Sequence, residues 1–251
     1  MERSFYKTLE EFPILSGRLK ANSNNRLYID IAKDDLNMPA YTDTCCDLEY
    51  SNLRDSGFNI HKLPVDLRNE YGVAAPSGLF GGDITSAHFR IFRLKDNSGV
   101  LVYAHVAHYI TDGYGYTQFM NRWAEISRWM QQPQDTNMAP LPERQLNPPT
   151  NCSTNRGVLV VSNQSRFPHY DVDFGAGTPS MVRHAPHAFT YTVYVMPANP
   201  KTGGGYEIEM NMPPAIEAHL VKNNTWMKLA DNYDNWQTTT ITGLSFSIFS
   251  T

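Results

Sequence analysis

Cysteine is scarce: the 251 residues contain three, Cys45, Cys46 and Cys152. An odd count without regular spacing excludes a disulfide framework, and unpaired thiols fit a reducing compartment. Cys45 and Cys46 lie among Asp43, Asp47 and Glu49, a setting that does not activate a thiolate, so they read as structural or neutral. Long apolar runs are lacking too. None approaches the roughly 20 residues that a membrane-spanning helix needs. Positive charge is in deficit, with Lys+Arg 21 against Asp+Glu 25 and a net charge of -4, and no Lys/Arg-rich run occurs. That balance argues against a nucleic-acid partner. The opening stretch, Met1-Glu2-Arg3-Ser4-Phe5-Tyr6-Lys7-Thr8, is too polar for a secretory signal. The N-x-S/T triplets at Asn151, Asn163 and Asn223 then carry no glycosylation meaning, and the expected location is cytoplasmic. Internal repeats are absent. Core material is ample, with hydrophobic residues at 41% and aromatics at 12%, so the chain should fold as one large domain or two small ones.

The chain is organised around residues 104–113. Val100-Leu101-Val102-Tyr103 reads as a buried strand, and Phe119, Trp123, Ile126 and Met130 follow the spacing of one helical face over about 114–130. His108 therefore falls where a strand ends and a turn begins. A neutral imidazole there can take a proton from a hydroxyl or amine and release it later. Asp112, in the same turn, has two functional roles open: fixing the tautomer of His108, or pairing with a cation, which is the favoured one. Plain helix capping is the third reading. Gly113 reads as a position for a backbone conformation closed to residues with a Cβ.

Along the rest of the chain, residues 4–12 have helical spacing with Ser4 as a candidate cap and Pro13 as its end. Residues 27–31 alternate as a strand, whereas 32–86 read as polar loops. The cluster Gly78-Leu79-Phe80-Gly81-Gly82 lacks the Lys and the following helix of a phosphate loop. Residues 87–94 and 100–106 predict a hairpin closed by Asp96-Asn97-Ser98-Gly99. The Pro-, Gln- and Asn-rich stretch 131–156 predicts a linker. Beyond it, 157–161 reads as a buried strand, with further strands near 181–183, 188–195 and 206–212. A loop covers Lys201 to Gly205, and a helix follows Pro213-Pro214. His105, His108 and Asp112 do not share a face as metal ligands would, so no metal is expected. No G-x-S-x-G elbow surrounds a serine.

His108-Tyr109-Ile110-Thr111-Asp112-Gly113 resembles the HxxxDG motif of the BAHD acyltransferases. Val172-Asp173-Phe174-Gly175-Ala176-Gly177 resembles that family's DFGWG block, with Ala176 in place of the tryptophan. Segments at Phe12–Leu19, Trp123–Ile126, Pro142–Pro149 and Val160–Pro168 resemble family segments in the same order. The resemblance covers roughly the first 220 residues with gaps, as if the opening residues and a large middle section were missing. A peptide-synthetase condensation domain shares the His-Asp-Gly turn, but it usually carries two adjacent histidines, where this chain has Ala107, and it lacks the second block.

The family resemblance implies a mixed α/β fold of two lobes, like chloramphenicol acetyltransferase, with the second lobe incomplete. The expected divisions are 1–150 for the N-terminal lobe, 151–230 for the partial C-terminal lobe and 231–251 unassigned. It further implies acyl transfer from acyl-CoA, a co-substrate with no permanently bound cofactor, to a small-molecule alcohol or amine of secondary metabolism. In that scheme His108 is the general base of a monomeric enzyme. Asp112 and Gly113 support the site, while Asp173, Gly175 and Gly177 shape the protein through a salt bridge and a tight turn. The competing expectation is a truncated, inactive paralogue that acts as a binding protein.

Overall fold

A computed structural model of the chain describes residues 1–59, 63, 87–132, 159–185, 191–223, 228 and 244–250. Of the predicted linker 131–156, Gln131 ends a helix and the part beyond residue 132, Cys152 included, lies outside the described residues, as do the glycine cluster at 78–82, residues 231–243 and the expected boundary near 150. Among the described residues, no helix is long and apolar enough to cross a membrane.

The element that carries the site is the hairpin of β4 (Ala87–Arg93) and β5 (Gly99–Val106), antiparallel as the alternation predicts. It lies inside a five-stranded sheet. One flank is β3 (Ala40–Cys45), parallel to β4; the other is β10 (Leu244–Ser250), antiparallel to β5, and then β7 (Met181–Ala185). Two expectations are corrected here. The polar stretch 32–86 contributes β3 and a short helix, α2 (Tyr50–Asp55), and the unassigned tail contributes β10.

One face of the sheet, with Phe89, Ile91, Val102 and Ala104, packs on α1 (Glu2–Leu9) and α3 (Gly113–Gln131). Phe119 and Trp123 of α3 are buried at the spacing the sequence predicts, and the Phe5 ring of α1 lies 5.2 Å from Trp123 and 4.9 Å from Phe89. Such ring pairs contribute about 0.5–1.5 kcal/mol beyond the area they bury. Ser4 does not cap α1. It sits inside the helix, donates to the Met1 carbonyl and accepts from the Trp123 indole at 3.2 Å. Arg122 of α3, almost wholly buried, makes a forked pair at 2.7 and 2.8 Å with Glu11, in the turn that follows α1. The opposite sheet face packs Phe92, Leu101 and Tyr103 against Leu53 and Leu63.

A second sheet has three strands in the order β6 (Val160–Asn163), β8 (Thr192–Pro197), β9 (Tyr206–Asn211). The strand expected to be buried at 157–161 is a half-exposed edge, with Leu159 and Val161 both more than half accessible. A small hairpin, β1 (Arg18–Ala21) with β2 (Leu27–Asp30), and α4 (Pro214–Val221), which begins one residue earlier than predicted with Pro214 in its first turn, are further described elements.

Candidate active site

β5 ends at Val106, and the chain turns over residues 107–110, closed by the Ile110 N–H donating to the Ala107 carbonyl at 2.8 Å. Ile110 is buried and anchors the turn in the core. His108 is a central residue of that turn and is exposed, and its ring makes no hydrogen bond among the described residues. An imidazole held by a sheet and an anchored turn, yet open to solvent, is free to bond an incoming hydroxyl or amine.

Asp112 is the N-cap of α3. Its carboxylate accepts from the Gly115 N–H at 2.8 Å while its carbonyl accepts from Tyr116 at 2.9 Å. No cation pairs with it among the described residues, where its bonding is that of a cap that satisfies one of the helix's orphan donors. The expectation for Gly113 also changes. It is the first residue of α3, with no positive φ, and glycine is needed for close approach instead. A Cβ there would lie 3.0 Å from the Phe167 ring and 3.7 Å from the Gln164 amide.

The second motif folds as a tight turn on the last turns of α3. The Asp173 Oδ1 accepts from the Gly175 N–H at 2.7 Å and the Gly177 N–H at 2.9 Å. Both glycines have positive φ, 104° and 97°, a backbone region that favours glycine. Among the described residues no ion pair reaches the Asp173 carboxylate; the Arg128 guanidinium donates instead to the Asp173 main-chain carbonyl. Gln131 donates to the Phe174 carbonyl at 3.2 Å, and the Phe174 ring lies 4.8 Å from Trp123. Ala176 is exposed, so the replaced tryptophan leaves no hole in the core.

His105 takes no part in the His108 turn. It stacks on His88 across the β4–β5 pair, 6.1 Å between ring centres. Burial and then the neighbouring His88 push its pKa down to about 4. Among the described residues, no group of three or more His, Cys, Asp or Glu side chains is placed to hold a metal ion.

Sequence reasoning missed a polar cluster behind the turn. The segment 164–169 lies against the start of α3: Phe167 packs edge-on to Tyr114, and Asn121 donates to the Pro168 carbonyl at 3.1 Å. Gln164 in this segment meets His169 at 3.2 Å and His184 at 3.4 Å, and His184 meets Glu209 at 3.0 Å. Burial pushes the Glu209 carboxyl up; the hydrogen bond and charge of His184 and the charge of Arg183 outweigh it, so Glu209 stays below its ordinary value. A signal was present in Tyr206-Glu207-Ile208-Glu209, whose period of two puts both glutamates on one face of a strand.

A family model described as "Transferase family" matches residues 143–228, which include the Asp173 turn and Gln164 but not His108. Comparison with curated proteins returns no match. Among solved structures, F. sporotrichioides TRI101 complexed with coenzyme A and T-2 is similar over 90% of this chain and 88% of that one, with a TM-score of 0.60 and 13% identity. That likeness is one of fold, and it matches the mixed α/β architecture described above.

Proposed function

We propose that the chain transfers an acyl group from an acyl-CoA thioester to an alcohol or amine, with His108 as general base. The observation that carries this reading is the exposed His108 in an anchored turn between β5 and the capped helix α3. The fold shared with TRI101, whose complex holds coenzyme A, supports the donor class, and the family model supports transfer chemistry. The imidazole takes the acceptor's proton as its oxygen or nitrogen attacks the thioester carbonyl. The tetrahedral intermediate then expels the CoA thiolate, which receives the proton from the imidazolium. No acyl-enzyme forms. General-base help of this kind supplies roughly 10² to 10⁴-fold. Holding both substrates in register supplies more, about 7–11 kcal/mol of the barrier.

The reading includes two lobes around a substrate channel with the second lobe shortened, so turnover is expected to be modest. A test is thiol release from several acyl-CoA donors with alcohol and amine acceptors, in wild type and His108→Ala. Loss of turnover by about 10²-fold or more in a folded variant supports the base role; turnover equal to wild type refutes it. A second reading, a binding protein without turnover, is favoured by one feature. The three-stranded sheet exposes Val161, Tyr206 and Ile208, an apolar surface of the kind that marks interaction sites.

A further inference from the structure

The cluster behind the His108 turn has an internal logic of donors and acceptors. The Glu209 carboxylate can only accept, so the Nδ1–H of His184 donates to its Oε2 at 3.0 Å. With Nδ1 turned to Glu209, the Nε2 of His184 faces the Gln164 amide nitrogen at 3.4 Å. The same Gln164 nitrogen lies 3.3 Å from the Ser162 hydroxyl. Its carbonyl oxygen accepts the Nε2–H of His169 at 3.2 Å. The Gln164 amide thus lies between the two rings, its nitrogen toward His184 and its oxygen toward His169. The cluster is shielded: Gln164 and His169 are buried, and Tyr194 stacks on the His184 ring 4.2 Å away.

The fixed amide is also the wall against which the catalytic helix begins. Its carbon and nitrogen lie 3.7 Å from where a Cβ of Gly113 would stand. Gly113 immediately follows the capping Asp112 and opens α3, the helix into which the His108 turn leads. Main-chain bonds lock Gln164 as well, its N–H donating to the Val195 carbonyl at 2.8 Å and its carbonyl accepting from Phe167 at 2.9 Å.

We propose that Gln164, clamped between His169 and the His184–Glu209 pair, is a positioning residue that holds the first turn of α3 and through it the His108 turn. This rests on the reading of His108 as the base. It extends the site to residues from β6, β7 and β9 that touch no reacting atom. Apolar packing alone would not need the amide, and a methionine of nearly the same length would serve as well. An orienting role needs both of its hydrogen-bonding ends.

The test compares Gln164→Met with wild type, using turnover and two measurements on the free protein. We expect kcat to fall by roughly ten- to a hundredfold, the scale of a small misplacement of a catalytic group, with KM for acyl-CoA within about twofold. In the free protein the His108 ring resonance should shift or broaden in NMR spectra. Exchange of the Gly115 amide, which the cap protects, should quicken roughly tenfold. Should Gln164→Met fold poorly, His169→Phe removes one clamp and His169→Gln restores a donor, so the first should reproduce the effect and the second reverse it. A variant whose His108 resonance and Gly115 exchange superimpose on wild type overturns the proposal. If His108→Ala keeps full turnover the base reading fails, while the resonance and exchange measurements still decide what Gln164 holds.

Discussion

At the scale of the residue, His108 and Asp112 differ in what the fold asks of them: one ring is exposed, the other side chain is a helix cap. The exposed ring offers a base, and the carboxylate four residues on is spent on the Gly115 N–H. Asp112→Ala should therefore act first on stability, costing about 0.5–2 kcal/mol as other lost caps do, with a lowered Tm. Asp112→Asn, which keeps an oxygen acceptor, should recover most of that loss. A thermal melt of the two variants checks this: an unchanged Tm in Asp112→Ala alongside lost turnover would make Asp112 a direct partner in the chemistry. The place of His108 in a turn was legible in the sequence because an apolar run before it and a helical period after it bracket that turn. The partner of Asp112 was not, since capping and ion pairing draw on the same residue type and only coordinates separate them.

At the scale of the element, the start of α3 is where the two parts of the site meet, and glycine is what lets them meet. A Cβ at Gly113 would stand 3.0 Å from the Phe167 ring, which itself packs on Tyr114. Gly113→Ala should cost about 1–3 kcal/mol through overpacking, against the small gain alanine brings to a helix. Phe167→Leu should relieve that clash, so the double variant should be more stable than the sum of the singles, read from denaturant midpoints. Strictly additive losses would show that the contact is not the reason for the glycine. The β4–β5 hairpin and α3 were readable because their periods are strong and their turn residues are conventional. β3 was hidden because Thr42-Asp43-Thr44 is a continuous polar run with no alternation, and residues 42–45 are exposed on both faces. Leu244-Ser245-Phe246-Ser247-Ile248 does alternate, yet its place between β5 and β7 depends on partners far away in sequence, which period alone cannot supply.

At the scale of the whole molecule, buried histidines couple folding to pH. Burial, then the neighbouring His88, holds His105 near 4; burial, then the neighbouring His184, does the same to His169; burial and then Arg90 lower His88. These rings are neutral in the folded chain, and in the unfolded chain they take a proton near the ordinary value of about 6.5. The folded pKa lies below the unfolded one. Between about 6.5 and about 4 the unfolded chain binds more protons, so stability is complete above this window and falls as pH drops through it. Below about 4 His105 and His169 add no further loss. Each ring contributes at most about 1.4 kcal/mol per pH unit inside the window. Because His105 belongs to the five-stranded sheet and His169 to the segment joining it to the second sheet, both losses bear on the packing that holds the His108 turn. Denaturant midpoints measured from pH 7.5 to 4 should decline steadily below about 6.5. His105→Gln, which cannot take up a proton, should flatten that decline by about 1 kcal/mol per unit while leaving His169 to supply the remainder. An acid limb of the same slope in wild type and variant would show that His105 is not one of the groups linking proton uptake to unfolding.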